Sequence, residues 1–287
     1  MDFLRPTTWA EALAAKADQP EAVPLQGGTD VMVEINFDVR RPPALLDLTR
    51  VAELREWTVT GGRCRIGAGV PYRVVVEELG GVLPGLAQAA RTVGSPQIRN
   101  RGTVGGNLGA ASPAGDSHPP LLAGEAVIEV ESRERGVRMI PAAEFYLGVK
   151  RSALRPDELT RAVHAEAAAG PQYFSKVGTR NAMVIAVCSF AIALDPVRRR
   201  VGTGIGSAAP TPRRAEEAED LLARELDWDA RTLDPSLLKW FGRLCAEAAA
   251  PIDDVRGTAA YRLHAIDVMA RRTLTWAWND HIGRRAA

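Results

Sequence analysis

Two short stretches of the sequence hold residue types whose spacing could do chemistry. Gln26-Gly27-Gly28-Thr29-Asp30 follows Leu25 and precedes the apolar residues Val31, Met32, Val33 and Ile35. Thr103-Val104-Gly105-Gly106-Asn107 sits inside a sixteen-residue stretch, Arg101 to Asp116, with no aliphatic side chain larger than Val104 and Leu108. Glycine lets backbone approach a ligand closely and accepts φ > 0. A row of backbone N–H groups without bulk suits an anion such as a phosphate, or a polar heterocycle. Thr103, Asn107 and Ser112 add short polar side chains. The competing reading is a plain glycine turn with no ligand. Two such stretches in one N-terminal half strengthen the cradle reading of each. Long small-residue loops are usually functional or disordered, and low charge with interleaved apolar residues argues against disorder here.

Other chemistry is poorly provided for. The four histidines (His118, His164, His264, His281) are scattered, and the three cysteines (Cys64, Cys188, Cys245) form no CxxC pair. No metal site is expected on this chain. No Ser-His-Asp or Cys-His arrangement stands out, so no catalytic residue is assigned. Net charge is +1 with 25% charged residues, which points to neither nucleic acid nor a membrane surface. The longest apolar run, Ala182 to Leu194 with Ser189 inside it, is too short for a membrane span and reads as a buried strand. The N-terminal MDFLRPTTWAEAL has no signal-peptide core. A reducing cytoplasm is the expected compartment, with Cys188 as core packing.

The elements that must position the glycine stretches can be read coarsely. Thr8-Trp9-Ala10-Glu11 has the form of a capping box opening a helix through Lys16. Ala22 to Leu25 and Leu45 to Leu48 read as short strands, and Thr58 to Val70 as a hairpin around Gly61-Gly62. Val74 to Leu79 and Leu86 to Thr92 read as helices, and Ala126 to Val130 and Val137 to Ile140 as strands. Arg101 to Asp116 reads as a loop between helix and strand, and Ala165 to Gly170 as a linker. Three strands of an antiparallel sheet follow: Gln172 to Val177, Val184 to Leu194 and Val201 to Ser207. Helices then start at Thr211-Pro212 (to Glu225), Asp234-Pro235 (to Ala249) and Thr258 (to Trp278). The expected organisation is α+β, in two domains at 1–168 and 172–287.

Several motifs in their order resemble one family. They are Gln26 to Asp30 with the apolar element after it; Gly94 to Arg101; Thr103 to Asn107 followed by Ala111-Ser112-Pro113 and Asp116; Lys176 to Arg180 before Ile185-Ala186; and Arg256-Gly257-Thr258 with Tyr261-Arg262. Together they resemble the FAD-binding medium subunit of the molybdenum hydroxylases, over nearly the whole chain. That group includes the FAD subunit of bacterial xanthine dehydrogenases and the carbon monoxide dehydrogenase medium subunit.

The resemblance implies a two-subdomain FAD-binding domain of the vanillyl-alcohol-oxidase-like superfamily, then a C-terminal antiparallel sheet with helices. It implies FAD diphosphate and ribityl contacts at Leu25, Gln26, Gly27, Gly28, Thr29, Asp30 and Val31, and at Thr103, Val104, Gly105, Gly106 and Asn107. Val93 or Gly94 would border the flavin through backbone, and Asp116 would accept a hydrogen bond from flavin or adenosine. The other reading of Asp116 is a cap for a helix at Pro119-Pro120. Lys176 would approach the isoalloxazine edge as a cation that stabilises reduced flavin; its bland alternative, shared with Arg180, is strand-edge charge.

The resemblance also implies partners: a large subunit with a molybdenum cofactor and a small one with two [2Fe-2S] clusters, in a heterotrimer that is often doubled. Electrons would pass from substrate through the clusters to FAD and on to NAD or another acceptor. Relatives often have an acidic residue where Val184 stands. The cysteine-bearing insertion of the benzoyl-CoA reductase type is missing, so flavin is the one redox centre expected here. Neither cradle holds His or Cys, and His118 is the one nearby candidate for a covalent link, so the FAD is expected to be non-covalent. Xanthine is the first substrate expected, with carbon monoxide, aldehydes and N-heterocycles open. A free-standing flavoenzyme, a flavin-free assembly protein and a generic nucleotide-binding module are the rival readings.

Overall fold

Thr8 caps the first helix as its spacing predicts. Its side chain accepts the Glu11 N–H at 3.2 Å, and the Glu11 carboxylate accepts the Thr8 N–H at 3.3 Å. The computed structural model describes residues 1–286, with side chains to residue 284; the expected boundary at 287 lies outside the described residues. Around α1 (Trp9–Asp18) lies a parallel sheet of β1 (Asp2–Leu4), β2 (Val23–Leu25) and β3 (Ala44–Asp47), ordered β1-β3-β2. Trp9, Ala12 and Leu13 of α1 share a core with Leu46, Leu48 and Leu54. Between β2 and β3 runs α2 (Val31–Asn36), which buries none of its residues.

The next layer is a five-stranded antiparallel sheet. It contains β4 (Trp57–Thr60), β5 (Arg63–Gly67), β6 (Val127–Ser132) and β7 (Gly136–Pro141). A small ribbon of β8 (Tyr146–Gly148) and β9 (Arg151–Ser152) precedes the central strand β10 (Leu159–Glu166). The order is β4-β5-β10-β6-β7. Helices α3 (Tyr72–Glu78), α4 (Pro84–Thr92), α5 (Pro96–Arg101), α6 (Val104–Ala110), α7 (His118–Ala123) and α8 (Ala142–Phe145) belong to this half. Tyr72, Leu79, Leu86, Val104, Leu108 and Leu121 pack there with Ile128, Val130 and Phe145.

The C-terminal half is an antiparallel sheet β11 (Gln172–Val177), β12 (Cys188–Asp195), β13 (Arg200–Gly206) with α9 (Glu216–Glu225), α10 (Pro235–Glu247) and α11 (Ala259–Ala286). Phe190, Ile192, Phe241, Ile266, Leu274 and Trp278 share its core, and Cys188 is buried within it. The α+β reading with a C-terminal antiparallel sheet holds. No helix among the described residues is long and apolar enough to cross a membrane.

Four local expectations are corrected. The loop expected from Arg101 to Asp116 contains α6, with Thr103 as its cap and Ala111 in the left-handed region at its end. The linker expected at Ala165 to Gly170 begins inside β10, which the sequence did not reveal. The strand expected from Val184 starts at Cys188, because residues 178–185 form a largely exposed loop in which the Arg180 side chain donates to the Met183 carbonyl. The helix expected from Thr211 starts at Glu216, because Arg213 instead bonds Ile205 in both directions, at 2.7 and 3.0 Å.

The two halves touch backbone to backbone. α7 lies on β13 where that strand reads glycine at alternate positions. A Cβ on Gly202 would stand 2.1 Å from the Ala123 carbonyl oxygen, and one on Gly204 2.0 Å from that of Pro119. Alternate strand positions share one face, so Gly202 and Gly204 clear a bed for the helix. α4 adds a second contact, where the Gln88 side chain accepts the Phe174 N–H of β11 at 2.9 Å.

Candidate functional site

The fold brings the two glycine stretches together. Leu25 ends β2, and residues 26–30 turn into α2. Gly28 takes φ +76°, which glycine allows. A Cβ on Gly27 would stand 2.3 Å from the Arg101 carbonyl oxygen, so the first stretch lies directly on the segment that leads into the second. Thr29 reaches the same place: its Oγ1 would be 3.5 Å from a Cβ on Gly102.

The donors of the two stretches are used differently. Among the described residues, the N–H groups of Gly27, Gly28, Thr29, Asp30 and Val31 meet no acceptor within the chain. In the second stretch Gly105 donates to Ala68 O at 3.0 Å, Gly106 to Thr103 Oγ1 at 2.9 Å, and Asn107 to Thr103 O at 3.0 Å. That stretch is a capped helical turn whose donors are largely spent. Two amide oxygens, Gln26 Oε1 and Asn107 Oδ1, are buried with no hydrogen-bond partner among the described residues. Buried polar atoms in native proteins are normally paired, so both call for an explanation. Asp30 starts α2 without a side-chain bond to it. Asp30 is exposed at its surface, yet the chain packed around its carboxyl partly desolvates it and pushes it up from the ordinary value, and the nearby Glu34 adds to this.

A second cluster joins the two halves of the molecule. Lys176 Nζ, from β11, donates to Asp116 Oδ2 at 2.6 Å and to the Thr92 carbonyl at 3.3 Å. The two side chains are only 7% and 8% exposed. Burial pushes the Asp116 carboxyl up, while the Lys176 charge and hydrogen bond and the Thr92 hydroxyl pull it down. Asp116 Oδ1 is buried and unpartnered. Asp116 does not cap α7, whose first turn receives no side-chain cap. Val93 and Gly94 follow Thr92 at the end of α4, and Arg99 of α5 donates to both carbonyls at 3.1 Å.

Tyr72 spans the space between these groups. Its ring edge would lie 3.4 Å from a Cβ on Gly102, and its hydroxyl is 2.6 Å from Ser117 Oγ, beside Asp116. Burial raises its phenol well above the ordinary value, and the charges of Asp116 and Asp30 add to this. Tyr72, Thr92 and Ser117 were not singled out in the sequence, and Arg99 stood there only inside the Gly94 to Arg101 motif, without a role of its own. Only Pro71 before Tyr72 and Ser95-Pro96 before Arg99 mark helix starts there; nothing local marks their tertiary partners.

His118 is fully buried. Its Nδ1 is 2.7 Å from the Tyr146 hydroxyl, and its Nε2 faces Gly115 without a bonded partner, although the Ser112 backbone is near enough to oppose the effect of burial. Burial lowers its pKa to about 3. The unfolded chain titrates near 6.5, so between these values the unfolded state binds a proton that the folded state refuses. Stability therefore falls as pH drops below about 6.5, by up to ~1.4 kcal/mol per pH unit. Thermal melts from pH 7 to 4 should show a shallower acid decline for His118→Phe than for wild type; equal slopes would remove His118 from the account.

Residues 1–165 match the family model described as the FAD binding domain in molybdopterin dehydrogenase, and residues 173–277 that of the CO dehydrogenase flavoprotein C-terminal domain. The chain belongs to the family of FAD-binding subunits of the molybdopterin-dependent dehydrogenases, a class of oxidoreductase flavoproteins. Its likeness to individual members is close in extent. It is 32% identical over 285 residues to the xanthine dehydrogenase FAD-binding subunit of Escherichia coli O157:H7, covering 96% of this chain and 95% of that one. It is 28% identical to the carbon monoxide dehydrogenase medium chain of Hydrogenophaga pseudoflava, covering 96% of each. A solved structure of carbon monoxide dehydrogenase from that organism superposes with a TM-score of 0.89 at 26% identity, covering 97% of both chains.

Proposed function

We propose that this chain is the electron-transfer subunit of a xanthine dehydrogenase-like molybdenum hydroxylase, holding FAD non-covalently. In this reading residues 1–168 form the FAD-binding domain and 172–287 the C-terminal domain. A large partner carries the molybdenum cofactor and oxidises the substrate. A small partner carries two [2Fe-2S] clusters and delivers electrons to this chain, in a cytoplasmic heterotrimer, single or doubled. The acceptor is NAD or another oxidant.

The observation that carries the cofactor reading is the row of five unspent N–H groups from Gly27 to Val31, beside the orphaned oxygens of Gln26 and Asn107. Unspent backbone donors suit a diphosphate, because they need no bulk and little positive charge. Donors on the ribityl chain or adenosine would satisfy the two amide oxygens. The absence of a Cβ at Gly27 closes the floor of the cradle onto Arg101. Thr103 to Asn107 contribute shape and the Asn107 side chain more than backbone donors. Val93, Gly94, Asp116 and Lys176 form the wall at the β11 end. Bound FAD supplies reversible electron transfer; the protein supplies binding, orientation and electrostatics.

The test is a visible absorption spectrum of the purified chain before and after acid precipitation, with the released compound identified by chromatography. FAD in the supernatant is expected. Yellow colour kept in the pellet would mean a covalent flavin and would turn attention to His118. A chain that takes up no flavin, even with FAD added, would sink the proposal and favour a flavin-free assembly protein.

A further inference from the structure

The family resemblance leads one to expect Lys176 as a cation beside the flavin, and the geometry gives that cation a buried carboxylate partner. Its Nζ spends one N–H on Asp116 Oδ2 at 2.6 Å and a second on the Thr92 carbonyl at 3.3 Å, which leaves one N–H. Both side chains of the pair are more than nine-tenths buried, so water does little to screen them from one another. Asp116 keeps Oδ1 buried and unpartnered. The face that the pair can turn to a ligand therefore combines one donor with one acceptor and carries no net charge. Thr92, whose hydroxyl also approaches Asp116 Oδ2 at 3.3 Å, leads straight into Val93 and Gly94.

We infer, resting on the FAD reading above, that Asp116 is a positioning residue. It holds Lys176 and cancels its charge, so that the pair as a unit sets the potential of the bound flavin. Removing one member of a buried pair leaves the other charge uncompensated. Removing both restores a neutral wall. Lys176→Met lowers the potential for a pair and for a lone cation alike, whereas Asp116→Asn and the double change tell the two apart.

The experiment is a redox titration of FAD bound to the full chain, as wild type, Asp116→Asn, Lys176→Met and the double variant. Asp116→Asn should raise the midpoint potential by about tenfold in the two-electron equilibrium, ~30 mV. The double variant should return to within about threefold of wild type, ~15 mV on the same scale. A lone cation gives a different pattern: Asp116→Asn leaves the potential unchanged, while Lys176→Met and the double variant lower it equally. That outcome overturns the inference. The double variant has no unpaired buried charge, so it decides the matter by itself if a single variant does not retain FAD. A wild-type chain that binds no FAD overturns the functional reading and this inference together. A wild type that binds FAD and shows the lone-cation pattern overturns this inference only.

Discussion

Gly27→Ala is expected to weaken FAD binding by tenfold or more, which is about 1.4 kcal/mol. The added methyl would stand 2.3 Å from the Arg101 carbonyl oxygen, 2.8 Å from its carbon and 2.9 Å from the Gly102 Cα. All three are backbone atoms, so no rotamer change relieves the contact. The turn at residues 26–30 and the segment entering α6 must separate, and overpacking of this kind costs ~1–3 kcal/mol. The five unspent N–H groups from Gly27 to Val31, proposed to meet the diphosphate, lie on the moving side, so affinity is expected to fall along with stability. Gly109→Ala is the matched control. It lies in α6 with nothing within 4 Å of its new methyl, and should leave affinity unchanged while adding ~0.5–1 kcal/mol of stability. Titration of the chain with FAD, followed by flavin fluorescence, checks both. Equal affinity for Gly27→Ala and wild type would remove the first glycine stretch from the site.

The largest loss of stability is expected from Gly204→Ala. Its Cβ would fall 2.0 Å from the Pro119 carbonyl oxygen and 2.6 Å from the Pro119 carbon. α7 would have to lift from β13, taking with it His118 and the Asp116 segment that meets Lys176. The cost should be on the order of 3 kcal/mol, at the upper end for overpacking, because fixed backbone stands in the way. Denaturant unfolding gives the number. A midpoint equal to wild type would show that the two halves rest on one another less tightly than these distances require.

How much of this was legible depends on where the deciding interaction lies. The capping box at Thr8 and the strands β11 and β13 were legible because local pattern and tertiary structure agree there. β10 was not. Its sequence, LTRAVHAE, places Arg161 and His164 in the middle of the sheet, where they are paired to Glu131 and Glu129 at 2.8 and 2.6 Å across β6. Those carboxylates come from 30 and 35 residues earlier, and alanine is a weak strand former, so no local rule finds it. α6 was hidden for the opposite reason. Glycine disfavours helix, yet the Thr103 cap and the Ala68 carbonyl make a helical turn of VGGNLGA. The glycine stretches and Asp116 with Lys176 stood out as candidates. That Asp116 and Lys176 contact each other, and that Tyr72 stands between the site's two ends, are long-range facts no stretch of sequence contains.

The position of β10 also bears on how the chain is made. β5 ends at Gly67, but its partner on one side is complete only at Glu166. At ~5–20 residues per second, a ribosome needs roughly 5–20 s to add the intervening ~100 residues. During that time β5, and once residue 141 is added β6 as well, lacks the strand that pairs with its inner edge. The sheet closes when β10 leaves the exit tunnel, so a nascent chain stalled between Pro141 and Leu159 would offer other molecules two inner strand edges, on β5 and β6, that the finished sheet covers.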